Sequence, residues 1–119
     1  MAKINKIFLV IIFSSLILIS ACSKSDPKLD NFAKCLSEKN VKFYGAFWCP
    51  HCANQKKLFG NSFKYVNYIE CSTPDGKEQL QLCKDAAIKG YPTWEFSDGS
   101  RLEGEASFEV LSQKSGCPI

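Results

Sequence analysis

The chain has 119 residues, enough for one domain, and its formal charge of +3 falls to about +1 once Lys3 and Lys6 near the start are set aside. No run of like charges occurs, so nothing in the balance calls for nucleic acid or an acidic substrate. Seven cysteines in so short a chain make thiol chemistry or cross-linking the first expectation, and no glycine-rich phosphate loop or Ser-His-Asp set competes with it.

In chain order, residues 1–21 read as a secretory leader. Lys3 and Lys6 precede an apolar run from Ile7 to Ile19 that only Ser14 and Ser15 interrupt. That build is a basic start, a short apolar segment and then small residues. The run is shorter than the roughly 20 residues a membrane-crossing helix needs. It ends Leu18-Ile19-Ser20-Ala21-Cys22, which resembles the bacterial lipobox. The resemblance implies cleavage before Cys22, a lipid on that residue and a protein held at the outer side of a membrane in the cell envelope. Residues 22–27 then form a tether and residues 28–119 the folded domain.

Asp26-Pro27 predicts a helix start, an N-cap followed by Pro in the first turn. Leu29, Phe32, Ala33 and Leu36 follow at helical spacing with Cys35 beside them, and Asn40 can end the helix. Val41 to Phe47 reads as a buried central strand, with the aromatic residues Phe43, Tyr44 and Phe47 as packing. A second helix opens at Pro50 and closes near Gly60; Tyr65 to Cys71 is a second strand. Thr73-Pro74-Asp75-Gly76 is turn chemistry, and Asp75 with Glu78 can cap a third helix that places Leu80, Cys83 and Ala87 on one face before Gly90. Thr93 to Phe96 and Arg101 to Gly104 are short strands joined by an Asp98-Gly99 hairpin, with Trp94 in the core. Ser107 caps a last helix carrying Phe108 and Leu111. The order α-β-α-β-α-β-β-α implies a parallel strand pair, an antiparallel closing edge and a mixed four-stranded sheet with helices on both faces.

The chemistry concentrates in Trp48-Cys49-Pro50-His51-Cys52. A Cys-x-x-Cys pair where a buried strand meets a helix puts the first sulfur against unpaired N–H groups and the positive end of the helix dipole, which favours its anion. Pro50 suits the first helical turn because its missing N–H has no partner there anyway. His51, the one histidine of the chain, adds a donor near the same sulfur, and Cys52 sits shielded one turn in, able to close a disulfide onto Cys49.

Those residues resemble the active site of the thioredoxin superfamily, and Pro-His between the cysteines resembles the oxidase DsbA. Tyr91-Pro92-Thr93 resembles the cis-proline loop that grips client backbone in that superfamily, and Trp48 can add to the client surface. The sequence is also similar to the thioredoxin-like domain fused to, or working beside, bacterial and plant homologues of vitamin K epoxide reductase. Phe43 to Cys52, Gln55-Lys56-Lys57, Phe59-Gly60, Tyr68-Ile69-Glu70-Cys71 and Tyr91-Pro92-Thr93-Trp94 carry that likeness. It implies a thioredoxin-like fold and an exported thiol–disulfide oxidoreductase without a cofactor. Its clients would be exported proteins with thiols or disulfides, and its electrons would pass to a membrane partner resembling vitamin K epoxide reductase. One departure stands out: six positions before Cys49, where thioredoxin has an acidic residue, this chain has Phe43.

Beyond Cys22 and the Cys49/Cys52 pair, four cysteines remain. Cys71 and Cys83 can staple a strand end to the next helix or act as a relay pair passing electrons onward. Cys35 and Cys117, on the first and last helices, then have each other left. The alternatives are an envelope disulfide reductase or isomerase, and a zinc- or copper-binding module that draws Cys49, Cys52, Cys71 and Cys83 into a tetrahedron. Zinc sites usually use two tight cysteine pairs, and Cys71 and Cys83 are not one, so the expectation is an enzyme with no metal.

Overall fold

The computed structural model describes residues 24–119; the expected leader, its expected cleavage point and Cys22 lie outside the described residues. Helix α1 spans Pro27–Glu38, strand β1 Lys42–Gly45 and helix α2 Pro50–Phe59. A 3-10 turn, Gly60–Tyr65, leads to β2, Asn67–Glu70; helix α3, Gln81–Asp85, precedes the hairpin β3, Thr93–Glu95, and β4, Arg101–Glu103; α4, Phe108–Ser115, closes the chain.

Local chemistry sets these boundaries. The Asp26 carboxylate accepts the Lys28 N–H at 3.0 Å and Pro27 takes the first helical position, so α1 starts where the sequence places it. Asn40 turns the chain out of α1 with φ of +57°, a conformation Asn tolerates better than most residues. Ser107 caps α4 by accepting the Val110 N–H, and Gly116 ends it in the left-handed region.

The sheet order is β2-β1-β3-β4, with β1 parallel to β2 and both other pairings antiparallel. Side chains alternate across it. Phe43 faces one side, where α1, α2 and α4 bring Phe32, Phe59 and Leu111 against Trp94. Tyr44 faces the other, against Cys71, Cys83 and Ile88. The expected order and the mixed four-stranded sheet both hold, and the arrangement is thioredoxin-like.

Three expectations are corrected. β1 stops at Gly45 rather than Phe47, because the chain turns there: the Cys49 N–H donates to the Ala46 carbonyl at 3.0 Å. Phe47 is therefore 56% exposed instead of packed, while Phe43 and Tyr44 are buried. β2 is shorter than Tyr65 to Cys71 because Tyr65 still belongs to the 3-10 turn. Asp75 and Glu78 cap no helix. Thr73 and Glu78 close a tight loop instead, the Thr73 N–H donating to the Glu78 carbonyl at 2.9 Å, and the Asp75 carboxylate accepts the Thr73 hydroxyl at 2.6 Å and the Lys77 N–H at 3.1 Å. α3 begins only at Gln81, and Ala87 lies beyond its end with φ of +54°.

Candidate active site

The turn after β1 delivers Cys49 to the N-cap of α2, with Pro50 in the first turn. The Cys52 N–H points at Cys49 Sγ, 3.4 Å away, so one of the unpaired donors of the helix start is turned onto the sulfur. From the opposite side the Tyr91 carbonyl accepts from Cys49 Sγ at 3.5 Å. Tyr91 precedes Pro92 across a cis peptide bond, and the Thr93 hydroxyl donates to the Gly90 carbonyl at 2.8 Å, fastening this loop at the edge of β3. The structure thus brings Cys49, Tyr91, Pro92 and Thr93 together although about forty residues separate them in sequence.

Cys52 is buried behind Cys49, and loss of water pushes its thiol up from the ordinary 9.0 to about 12; an amide hydrogen bond at Ala46 and the charge of Lys56 pull the other way. Gly45 makes this packing possible. A β-carbon there would lie 3.1 Å from Cys52 Sγ and 2.9 Å from Tyr68 Cε2, closer than either contact allows without movement.

His51 meets the segment between β4 and α4: its Nδ1 is 2.7 Å from Glu105 Oε2. One turn along the same face of α2, buried Gln55 accepts the Ala106 N–H at 2.7 Å and donates to the Ala106 carbonyl at 3.0 Å. The Trp94 indole N–H shares the same acceptor at 3.4 Å. Trp48 is half exposed, lies edge-on to Tyr91 with ring centroids 5.9 Å apart, and donates its indole N–H to the Ser72 hydroxyl at 2.9 Å.

Disulfides join Cys35 to Cys117 and Cys71 to Cys83, so two of the four sulfurs of the alternative zinc tetrahedron are bonded to each other here. Cys49 and Cys52 are left as thiols among the described residues. The Cys71–Cys83 bridge lies in the buried cluster around Tyr44 and anchors the loop that carries Ser72.

Four neighbours of the site have no role that the sequence alone assigns. Gln55, Tyr68 and Glu70 enter the sequence reading only as part of a likeness, and Glu105 not at all. The Glu70 carboxylate accepts the N–H groups of Phe47 and Ser72 at 3.2 and 2.9 Å and the Tyr68 hydroxyl at 2.6 Å, which locks the turn in front of Cys49 to the end of β2. Helical spacing between Cys52 and Phe59 is a signal for Gln55, which shares their buried face of α2; Glu105 carries none, because its partner comes from 54 residues away.

No protein-family model matches the chain. Among curated proteins it is similar to the thiol-disulfide oxidoreductase LTO1 of Arabidopsis thaliana, 43% identical over 99 residues, which covers 79% of this chain and 26% of that protein. It is 35% identical over 82 residues to protein disulfide isomerase-like 2-2 of Oryza sativa subsp. japonica, covering 61% of this chain and 22% of the relative. The thioredoxin domain-containing protein 5 homolog of Drosophila melanogaster is 33% identical over 95 residues, 70% of this chain and 21% of its own. The chain spans about a quarter of the length of these relatives. With the fold and the Cys49/Cys52 geometry, these matches define a class: the chain carries a thioredoxin-superfamily domain. Within that superfamily its likeness runs to proteins named as a thiol-disulfide oxidoreductase and as protein disulfide isomerase-like.

Proposed function

We propose that the protein is an exported disulfide donor, oxidising cysteine pairs in envelope proteins through a Cys49–Cys52 disulfide. One observation carries the reading: Cys49 Sγ stands at the start of α2 with an amide donor aimed at it and Cys52 closed in behind. A client thiolate attacks Cys49 Sγ; the new mixed disulfide forms as the Cys49–Cys52 bond breaks, and Cys52 leaves and takes up a proton. A second client thiolate then displaces Cys49, so that the client gains a disulfide and the pair gains two electrons. The names of the relatives support exchange chemistry, and Pro50-His51 between the cysteines supports the oxidising direction.

Two electrons must leave the pair after each cycle. In this reading they pass to a separate membrane protein resembling vitamin K epoxide reductase. The leader, with Cys22 as the lipidated residue, supports export and a tether in the same membrane environment. Equilibration of the purified domain with glutathione tests the direction. A potential well above the roughly −270 mV of thioredoxin is expected. A value at or below it would turn the proposal into an envelope reductase, and stoichiometric zinc or copper on the untagged protein would displace both.

A further inference from the structure

Cys52 must shed a proton whenever it attacks a mixed disulfide on Cys49, and regain one whenever it leaves. β1 offers no acceptor: its residues beside the sulfur are Phe43 and Gly45. Among the described residues, the titratable and charged groups that act on the thiol or on its neighbour Tyr68 are Cys49 at the N-cap of α2, Lys56 on α2 and Glu70 on β2.

Their placement forms a chain. The site of the missing Gly45 β-carbon is 3.1 Å from Cys52 Sγ and 2.9 Å from Tyr68 Cε2, so the sulfur lies within about 6 Å of that ring carbon, which adjoins the hydroxyl-bearing one. The Tyr68 hydroxyl donates to Glu70 Oε2 at 2.6 Å. Lys56 Nζ lies 3.9 Å from the centroid of the same ring, a cation beside the place where negative charge develops. Glu70 is only half-buried, so the far end of the chain reaches solvent.

We propose that Tyr68 and Glu70 are a proton relay for Cys52, an inference that rests on the exchange reaction proposed above. As Cys52 Sγ bonds to Cys49 Sγ, the bond from Cys49 to the client sulfur breaks and the client leaves as thiolate. In the same step the Cys52 proton passes to Tyr68 Oη, and the Tyr68 proton passes to Glu70 Oε2 and on to water. The reverse path protonates Cys52 when a client displaces it. Burial and the Glu70 bond both hold the Tyr68 phenol protonated, so it hands a proton on rather than losing one outright.

Ellman's reagent separates the two sulfurs in one stopped-flow trace of the reduced protein. Reaction at Cys49 releases a first thionitrobenzoate, and attack by Cys52 on the resulting mixed disulfide releases a second. Y68F keeps the ring and deletes the hydroxyl; it should leave the first release unchanged and slow the second by roughly a hundredfold at neutral pH, the scale of general acid–base assistance. The deficit should close as pH nears 12, where the thiol ionises unaided. E70Q, whose remaining oxygen can still hold the Phe47 N–H, should slow the same release. Either variant matching wild type in the second release overturns the relay. A wild type with no rapid first release would instead sink the oxidoreductase reading.

Discussion

Cys52 keeps about 1% of its surface open to solvent, and that burial raises its thiol from 9.0 to about 12. A folded-state value above the unfolded one means that the folded chain holds the proton more tightly. Below 9.0 both states are protonated and the contribution to stability is complete; between 9.0 and about 12 the unfolded chain ionises first and the contribution is lost as pH rises. The reduced protein should therefore lose melting temperature across this window more steeply than C52S, whose hydroxyl does not titrate there. Tyr68 also favours its protonated form in the fold, chiefly through burial and Glu70, which both proteins share, so most of its contribution drops out of the comparison. The oxidised protein, with no thiol at this site, should follow C52S. Parallel slopes for reduced wild type and C52S would show that Cys52 is not shielded by Gly45 and α2 as described.

At the scale of elements, Gln55 does for the site what no regular hydrogen-bond ladder can. It joins α2 to the segment after β4 through both backbone groups of Ala106, and to β3 through the Trp94 indole. Q55L keeps similar bulk but leaves those three buried groups without a partner, each worth roughly 1–3 kcal/mol when stranded. Thermal unfolding should show a loss of several kcal/mol, and because Ala106 adjoins Glu105, the His51 ring should also lose its fixed partner, visible as averaging of its NMR signals. A variant as stable as wild type with His51 still held would assign that segment another anchor. The same element explains what the sequence could disclose. Strands, caps and the Cys49/Cys52 helix start are local signals, with periodicity and cap residues within a few positions of each other, and Asp26, Ser107 and the Asp98-Gly99 turn were legible for that reason. Gln55 with Ala106, and His51 with Glu105, are contacts between distant segments that no local pattern encodes. The Thr73–Gln79 loop failed differently. Asp75 and Glu78 have the spacing of a helix cap, but Thr73 competes for both, its hydroxyl donating to Asp75 and accepting the Glu78 N–H.

For the whole molecule, the described domain is small enough that cross-links matter to its margin. The two disulfides act on different lengths of chain: Cys35–Cys117 spans a separation of 82 residues and ties α1 to the last residues, whereas Cys71–Cys83 spans 12. Constraint of the unfolded chain grows with the logarithm of loop length, which gives about 4.5 kcal/mol for the long bridge and about 3 kcal/mol for the short one. Paired alanine substitution should therefore lower melting temperature more for C35A/C117A than for C71A/C83A, provided burial treats the two alike. It nearly does, since Cys71, Cys83 and Cys117 are all within the cores and only Cys35 is half-buried. What separates the two variants is the site. The short bridge holds the loop whose Ser72 accepts the Trp48 indole N–H, so C71A/C83A should alter Trp48 fluorescence and its quenching, and C35A/C117A should not. Trp94, deep in the core, supplies a constant background in both. If the short bridge proved the costlier to remove, the loop-length argument would fail, and packing around Tyr44 and Ile88 would have to carry more of the stability of that face than chain connectivity does.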